Sequence, residues 1–144
     1  QTAKSHVGAI GVMQIMPATG ASLKVGDIHQ IEPNIHGGVR YMDQLMTHYF
    51  PDARFTEGNR PLFAFASYNA GPGTIARMRK EAAKRGLDPD KWFNNVEVVT
   101  AEKIGIETTT YVRNIYKYYA AYKLQEEMLA QRKKAREQLS PAGK

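Results

Sequence analysis

The chain has 144 residues, a formal net charge of +6 and a pI near 9.6, with 42% hydrophobic residues and no cysteine. That length suits one domain with a real core, and the lack of cysteine excludes a disulfide framework and a thiolate metal site. No apolar run approaches the roughly 20 residues a bilayer-spanning helix needs, and no signal-peptide pattern opens the chain.

The sequence begins at Gln1 rather than Met, so it is expected to be a processed or excised piece of something longer. The absence of cysteine fits either the cytoplasm or a cell envelope. The basic balance favours an anionic partner: nucleic acid, acidic lipid or an anionic cell-wall polymer. Much of the charge lies in Arg132-Lys133-Lys134-Ala135-Arg136. A short basic run on a terminal helix ordinarily reads as a solvated face, with a docking patch as the other reading.

In chain order, the first informative stretch is Gly8-Ala9-Ile10-Gly11-Val12-Met13-Gln14-Ile15-Met16-Pro17-Ala18-Thr19-Gly20. Its glycines permit close backbone approach and dihedrals barred to other residues. Gln14, an amide among Val12, Met13, Ile15 and Met16, must find hydrogen-bond partners or face a polar cavity. Pro17 suits the first turn of a short helix running to about Lys24 and closed by Gly26. A polar connection then leads to Pro33, which can begin the next helix. Ile35, Val39, Met42, Leu45 or Met46 and Tyr49 recur at helical spacing, and Phe50-Pro51-Asp52 stops that helix. Gly38 in its middle implies close packing against another element.

Pro61 to Gly71 is apolar nearly all round at its start, which predicts a central, buried helix. Gly71-Pro72-Gly73 breaks it, and a basic amphipathic helix follows from about Thr74 to Arg85, with Gly86 as its C′ residue. Asp88-Pro89 caps a short turn carrying Trp92-Phe93. Between Asn94 and Ile106 the reading stays open between a brief strand at Val96, Val98 and Val99 and a loop. Glu107-Thr108-Thr109-Thr110 opens a long helix with Tyr111, Ile115, Tyr118 and Tyr122 on one side. From about Gln125 the apolar stripe thins, so an exposed or frayed end is expected. The fold class is all-α.

His6, His29, His36 and His48 never pair at i, i+4 beside a carboxylate, and no Gly-rich phosphate loop occurs, so neither metal nor cofactor is expected. Ser22 and Ser67 have no adjacent base in sequence. Ser67-Tyr68-Asn69 closes an otherwise apolar helix. It reads either as a capped helix end with a satisfied tyrosine or, opposite a lone Gln, as the stacking ring and amide of a sugar site. Glu107 and Tyr111 stand at i, i+4. They read as a dipole-favoured carboxylate with a core tyrosine, or as a tyrosine orienting a functional carboxylate.

Taken together, these segments resemble the SLT-type lytic transglycosylases. Gly8 to Thr19 resembles their GAxGLMQxMPxT motif, and Ala66-Ser67-Tyr68-Asn69-Ala70-Gly71-Pro72-Gly73 their AYNAGPG motif, with Ser67 preceding the tyrosine. Glu107-Thr108-Thr109-Thr110-Tyr111-Val112-Arg113-Asn114-Ile115 matches ETxxYVxxI. Pro33-Asn34-Ile35 with Gly38 and Tyr41 resembles the family's NIxxG helix, and Trp92 to Glu97 is similar to the membrane-bound transglycosylase F branch. The motifs come in the family's order between about Lys4 and Tyr122.

The resemblance implies a lysozyme-like α-domain of about six to eight helices with a long C-terminal helix. It implies a catalytic domain over 1–124 followed by a basic helical tail over 125–144. The implied activity cleaves the β-1,4 bond between N-acetylmuramic acid and N-acetylglucosamine without water. One Glu protonates the glycosidic oxygen and then takes the proton of the muramic C6 hydroxyl, closing a 1,6-anhydro ring, as in the substrate-assisted exceptions to two-carboxylate glycosidases. That acid needs a raised pKa, with Val12, Met13, Ile15 and Tyr111 as candidates for its apolar wall.

By the same resemblance Met13 and Gln14 contact glycan beside the scissile bond, Tyr68 and Asn69 contact sugar, and Glu107 has a binding role. Tyr111 supports the catalytic Glu by a hydrogen bond. The family's Glu belongs to an E-S motif ahead of the first glycine segment, and Ser5 matches a serine carried between the two. Residues 1–26 hold no carboxylate. The Glu is therefore expected upstream of Gln1 and the chain by itself is expected to be inactive. The expected partner is peptidoglycan glycan strands, not nucleic acid, for a monomer in the periplasm or cell envelope. The resemblance leaves room for peripheral membrane association and an outer-membrane anchor of the parent protein. The competing readings are a goose-type lysozyme-like hydrolase and a non-catalytic helical module binding glycan or nucleic acid.

Overall fold

The computed structural model describes residues 8–10, 13–56 and 58–140. Lys4, Ser5, His6, Gly11 and Val12, singled out above, lie outside the described residues. The chain forms α1 (Pro17–Leu23), α2 (Ile31–Thr47), α3 (Asn59–Ala70), α4 (Pro72–Lys84), α5 (Glu97–Ile104) and α6 (Ile106–Leu139), with a kinked helical turn at Trp92–Val96. Among the described residues the β-type pairing recorded is a single antiparallel bridge between Ile10 and Ile15. The fold is all-α with a long last helix, as the sequence predicts.

Helix α3 is the centre. Pro61 to Ser67 are all buried, and both α2 and α6 pack along it. Phe63 is fully buried; its ring stacks on Phe55 at 4.2 Å and meets Trp92 edge-on at 5.6 Å. Ile75 of α4, Val99 of α5 and Val112 of α6 close the same core. Each such side chain, fully buried, contributes on the order of 1.5–3 kcal/mol. A smaller cluster of Ile10, Ile15 and Ile28 lies under the N-terminal segment.

The structure departs from the expected elements in five places. The segment 94–106 is neither strand nor loop but the kinked turn and α5. Val96, Val99 and Thr100 are buried, and the Thr100 hydroxyl donates to the Val96 carbonyl at 2.8 Å, so packing overrides the β-propensity of the valines. Helix α2 starts at Ile31, two residues ahead of Pro33. Its inward face carries Asn34, Gly37, Gly38 and Leu45, while Ile35 and Val39 of the expected apolar stripe are exposed. Helix α1 is closed by Lys24, which takes a left-handed conformation at φ 56°, ahead of Gly26. On α6, Tyr118 and Tyr122 are exposed, and Tyr119 takes the inward place against Phe65 at 5.9 Å.

Beyond Tyr119 the last helix leaves the core. Residues 121–139 are exposed but remain helical throughout, so the basic end is a continuous helix rather than a frayed one. At 1.5 Å per residue the whole of α6 is about 51 Å long. Among the described residues no helix is long and apolar enough to cross a membrane.

Candidate functional site

The N-terminal segment folds back on itself. Ile10 and Ile15 exchange both backbone hydrogen bonds, at 2.9 and 3.0 Å, which puts Met13-Gln14 in the connecting turn. Gln14 takes a left-handed conformation at φ 50°, and the residue is exposed. Ile15, offered above as part of an acid's apolar wall, points instead into the small core with Ile10 and Ile28.

Buried Asn34 on α2 holds this turn in place. Its amide donates to the carbonyls of Ile10 at 2.7 Å and Ile28 at 2.9 Å, while its Oδ1 accepts from the Met13 N–H at 2.8 Å. One side chain thus satisfies the bridge residue Ile10, the loop at Ile28 and the turn at Met13, using nearly all of its hydrogen-bonding capacity. The close approach requires glycine on the facing helix turn. A Cβ at Gly38 would lie 2.5 Å from the Met13 methyl and 2.8 Å from its Cβ, and one at Gly37 would lie 2.9 Å from Ile15 Cδ1.

The other end of the Met13 peptide is held from α3. The Tyr68 hydroxyl donates to the Met13 carbonyl at 2.6 Å. Met13 is therefore fixed through its own N–H and C=O by two helices, which leaves its side chain and Gln14 defined in direction. Tyr68 sits in a group of three half-buried tyrosines. The Tyr41 ring lies 5.4 Å from it, tilted by 44°, and Tyr111 of α6 is close enough to influence its ionisation. Burial pushes the Tyr68 phenol far above the ordinary tyrosine range, with Tyr111 and Tyr41 adding to the effect. Burial also raises Tyr111 and Tyr41. All three remain neutral hydroxyls at physiological pH.

Next along α3, Asn69 is exposed, and its Oδ1 accepts a hydrogen bond from the Thr108 hydroxyl of α6 at 2.7 Å. This bond fastens the end of α3 to the first turn of α6, where Glu107 is exposed to solvent. With its carbonyl engaged, the Asn69 amide N–H groups are oriented away from Thr108 and remain donors.

The geometry links Met13 to Tyr68 by one hydrogen bond and Asn69 to the helix turn bearing Glu107 by another, while Tyr111 packs against the main core. Ser67 is separate. It is fully buried, and its hydroxyl has no hydrogen-bond partner among the described residues. Asn34, Thr108 and Tyr41 complete the arrangement. Asn34 and Tyr41 were visible only as motif members; Thr108 looked like one of a run of helix-opening threonines.

The acid–base inventory is sparse. Residues 1–26 carry no Asp or Glu. The buried carboxylate of Glu97 is bound by Arg113 through two hydrogen bonds of 2.9 and 3.1 Å, which tie the start of α5 to α6. Its role is that of a brace. Among the described residues no group of His, Asp and Glu is gathered to hold a metal ion. The cluster offers neutral hydroxyls, amides, a thioether and aromatic faces. Such a surface can hold a polyhydroxylated ligand by hydrogen bonds and stacking, and it can support a carboxylic acid brought beside Tyr111.

A model of the transglycosylase SLT domain matches residues 1–91. The chain is 33% identical over 130 residues to the membrane-bound lytic murein transglycosylase F of Desulfosudis oleivorans, covering 81% of this chain and 28% of that protein. It is 33% identical over 130 residues to that of Vibrio cholerae, covering 81% of this chain and 24% of that protein. For the Pseudomonas fluorescens protein of the same name the identity is 32% over 132 residues, with 80% and 26% covered. The chain thus spans about a quarter of the length of the curated relatives it matches. With more than half of its length under the family model, the chain belongs to the transglycosylase SLT domain family.

Proposed function

We propose that this domain is the substrate-holding and catalytic-domain part of a peptidoglycan lytic transglycosylase, acting on the bond between N-acetylmuramic acid and N-acetylglucosamine. The observation that carries the reading is the double anchoring of Met13, through Asn34 and Tyr68, beside the Tyr41–Tyr68 ring pair and the Asn69–Thr108 bond. In this reading Met13 and Gln14 line the scissile linkage, and the Asn69 amide donates to sugar hydroxyl or N-acetyl oxygens. Glu107 accepts from sugar hydroxyls at the rim. Tyr68 acts through Met13, and its ring rather than its hydroxyl faces the ligand.

The chemistry needs one carboxylic acid that first protonates the leaving glycosidic oxygen. As a carboxylate, it then removes the proton of the muramic C6 hydroxyl as that oxygen attacks C1. The neutral Tyr111 hydroxyl is suited to donate a hydrogen bond to that carboxylate. Glu107 is exposed to solvent at a helix start rather than enclosed beside Met13 and Tyr111, so it is assigned to binding and not to proton transfer. We assign the acid/base to a Glu outside these 144 residues, with the catalytic domain over 1–124 and the helix over 125–144 as an appended basic segment. The relatives are named as membrane-bound murein enzymes. By that likeness the parent protein works in the cell envelope, on glycan strands, with peripheral attachment to a membrane.

Digestion of purified murein with product analysis tests this. The chain alone is expected to release nothing, and the domain joined to a preceding segment bearing the Glu-Ser motif is expected to release 1,6-anhydromuropeptides. Reducing-end muropeptides from the joined protein would replace this reading with a lysozyme-like hydrolase. Release of any product by the chain alone would overturn the assignment of the acid/base.

A further inference from the structure

The last helix changes its apolar side. Up to Tyr119, α6 turns Val112, Ile115 and Tyr119 onto the core. Beyond that point the helix projects, and Ala121, Leu124, Met128 and Ala135 form a second stripe at helical spacing, all of them exposed. At about 100° per residue, Ala121 lies on the side of the helix opposite Val112. The second stripe therefore faces away from the domain to which α6 belongs. A tail held out only by its solvated charges needs no such stripe.

The stripe has the period of about 3.5 residues that marks a two-helix seam, with Gln131 and Gln138 at the remaining inward positions. Charge along it is divided. Glu126 and Glu127 come first, and Arg132, Lys133, Lys134 and Arg136 follow. A parallel second copy would lay these four cations against their own counterparts, whereas an antiparallel copy lays them against the acidic pair. With Met128 opposite Gln131 of an antiparallel second copy, Leu124 meets Ala135 and Ala121 meets Gln138. In the same register Glu127 flanks the seam opposite Lys134, twice by symmetry, and Tyr118 meets Leu139. Among the described residues neither Glu127 nor Lys134 makes a salt bridge within the chain. Tyr118 and Leu139 are 76% and 84% exposed, so both have surface to lose. So short a seam would not fold two free peptides, but α6 is already helical through Leu139 and pairing has little left to order. The acidic pair beside the stripe disfavours an anionic membrane surface as the occupant.

We propose that the projecting end of α6 pairs antiparallel with that of a second copy, centred between Leu129 and Ala130, in a weak dimer where the sequence resemblance implies a monomer. Each domain then sits at one end of a two-helix rod, and the two Glu107 turns stand about 68 Å apart along its axis. The pairing does not rest on the glycan reading; under that reading it gives one particle two sugar sites.

Sedimentation of the 144-residue chain over a range of concentrations tests this. A monomer–dimer equilibrium that weakens as salt is raised is expected. Glu127→Lys places like charges opposite each other at both ends of the seam and is expected to raise the dimer Kd about tenfold, as is Lys134→Glu. The double variant Glu127→Lys/Lys134→Glu is expected to restore the original Kd, and Met128→Lys to leave a monomer. All these positions are exposed, so the variants are expected to keep the Tm of the parent chain. Because the chain has no cysteine, Ala121→Cys and Gln138→Cys proteins can be mixed and mildly oxidised. A disulfide between the two variants is expected. Preferential self-linking of Ala121→Cys shows parallel pairing and overturns the proposal. So does a dimer indifferent to the charge variants and to Met128→Lys. A chain that stays monomeric at every concentration also overturns it, and its co-sedimentation with vesicles of phosphatidylglycerol and phosphatidylethanolamine would then assign the stripe to a membrane surface.

Discussion

The Tyr68 hydroxyl and the Met13 carbonyl, 55 residues apart in sequence, are joined by a 2.6 Å hydrogen bond. This bond makes the N-terminal turn a fixed surface on α3 rather than a mobile loop. Tyr68→Phe deletes the donor while keeping the ring. A neutral hydrogen bond of this kind contributes about 1 kcal/mol, equivalent to about 3 °C of Tm in a chain this size. Thermal unfolding is expected to show that loss. Titration with a bare, peptide-free tetrasaccharide of alternating N-acetylglucosamine and N-acetylmuramic acid is expected to show a weakening larger than the stability change explains, because Met13 and Gln14 lose their orientation.

Gly38 gives a sharper test of the same surface. Alanine ordinarily favours a helix over glycine by about 0.8–1 kcal/mol. Here the added methyl would meet Met13 at 2.5 and 2.8 Å, against a residue whose backbone is held at both ends. Overpacking of that sort costs about 1–3 kcal/mol, so the clash outweighs the propensity gain. Gly38→Ala is expected to lower Tm and to abolish measurable glycan binding; an unchanged or raised Tm would show that the turn yields.

How much of this was legible in the sequence depends on where the information sits. The α3 core was readable because its apolar run reports local geometry directly, whereas α6 was readable as a helix but not in its inward face, where Tyr119 replaces Tyr118 and Tyr122. The α2 face was misread by about one residue: Ile35 and Val39 carry the hydrophobic signal, yet Asn34, Gly37 and Gly38 face inward. Periodicity weighs side-chain apolarity, and an interface built from a buried amide and two missing side chains has none. The helix at Glu97–Ile104 was hidden for a related reason, since its valines favour extended structure until the core packs them. The site motifs were identified as motifs. That Tyr68 serves Met13, and Thr108 serves Asn69, required coordinates, because neither spacing of 55 nor of 39 residues leaves a local trace.

Half-buried tyrosines make the stability of the domain sensitive to alkali. Tyr41, Tyr68 and Tyr111 all have folded-state pKa values raised above 10.0, chiefly through burial. A group with a raised folded pKa contributes its full stability below its unfolded value and loses it as pH rises toward the folded one. Unfolding free energy measured by denaturant is therefore expected to show no loss from these groups up to about pH 9 and to fall beyond about pH 10. Phenolate absorbance should show these three tyrosines ionising above the ordinary tyrosine range. Tyr68→Phe is expected to flatten the alkaline decline, since it removes the most strongly shifted member.

Glu107 separates the binding role from the structural one. It is exposed at the first turn of α6, where a carboxylate interacts favourably with the helix dipole by about 0.3–1 kcal/mol. Glu107→Gln keeps the shape and a hydrogen-bond acceptor but removes the charge, so Tm is expected to move by less than about 3 °C. A carboxylate at the rim accepts stronger hydrogen bonds from sugar hydroxyls than an amide does, so the Kd for the bare tetrasaccharide is expected to rise several-fold. Asn69→Ala is the companion measurement. It removes the proposed glycan donor and also the acceptor that holds Thr108, so both affinity and Tm should fall. Loss of affinity in Glu107→Gln without loss of Tm would place the carboxylate on the ligand. Unchanged affinity would leave it a helix-start charge and confine the proposed sugar contacts to Met13, Gln14, Asn69 and the Tyr68 ring.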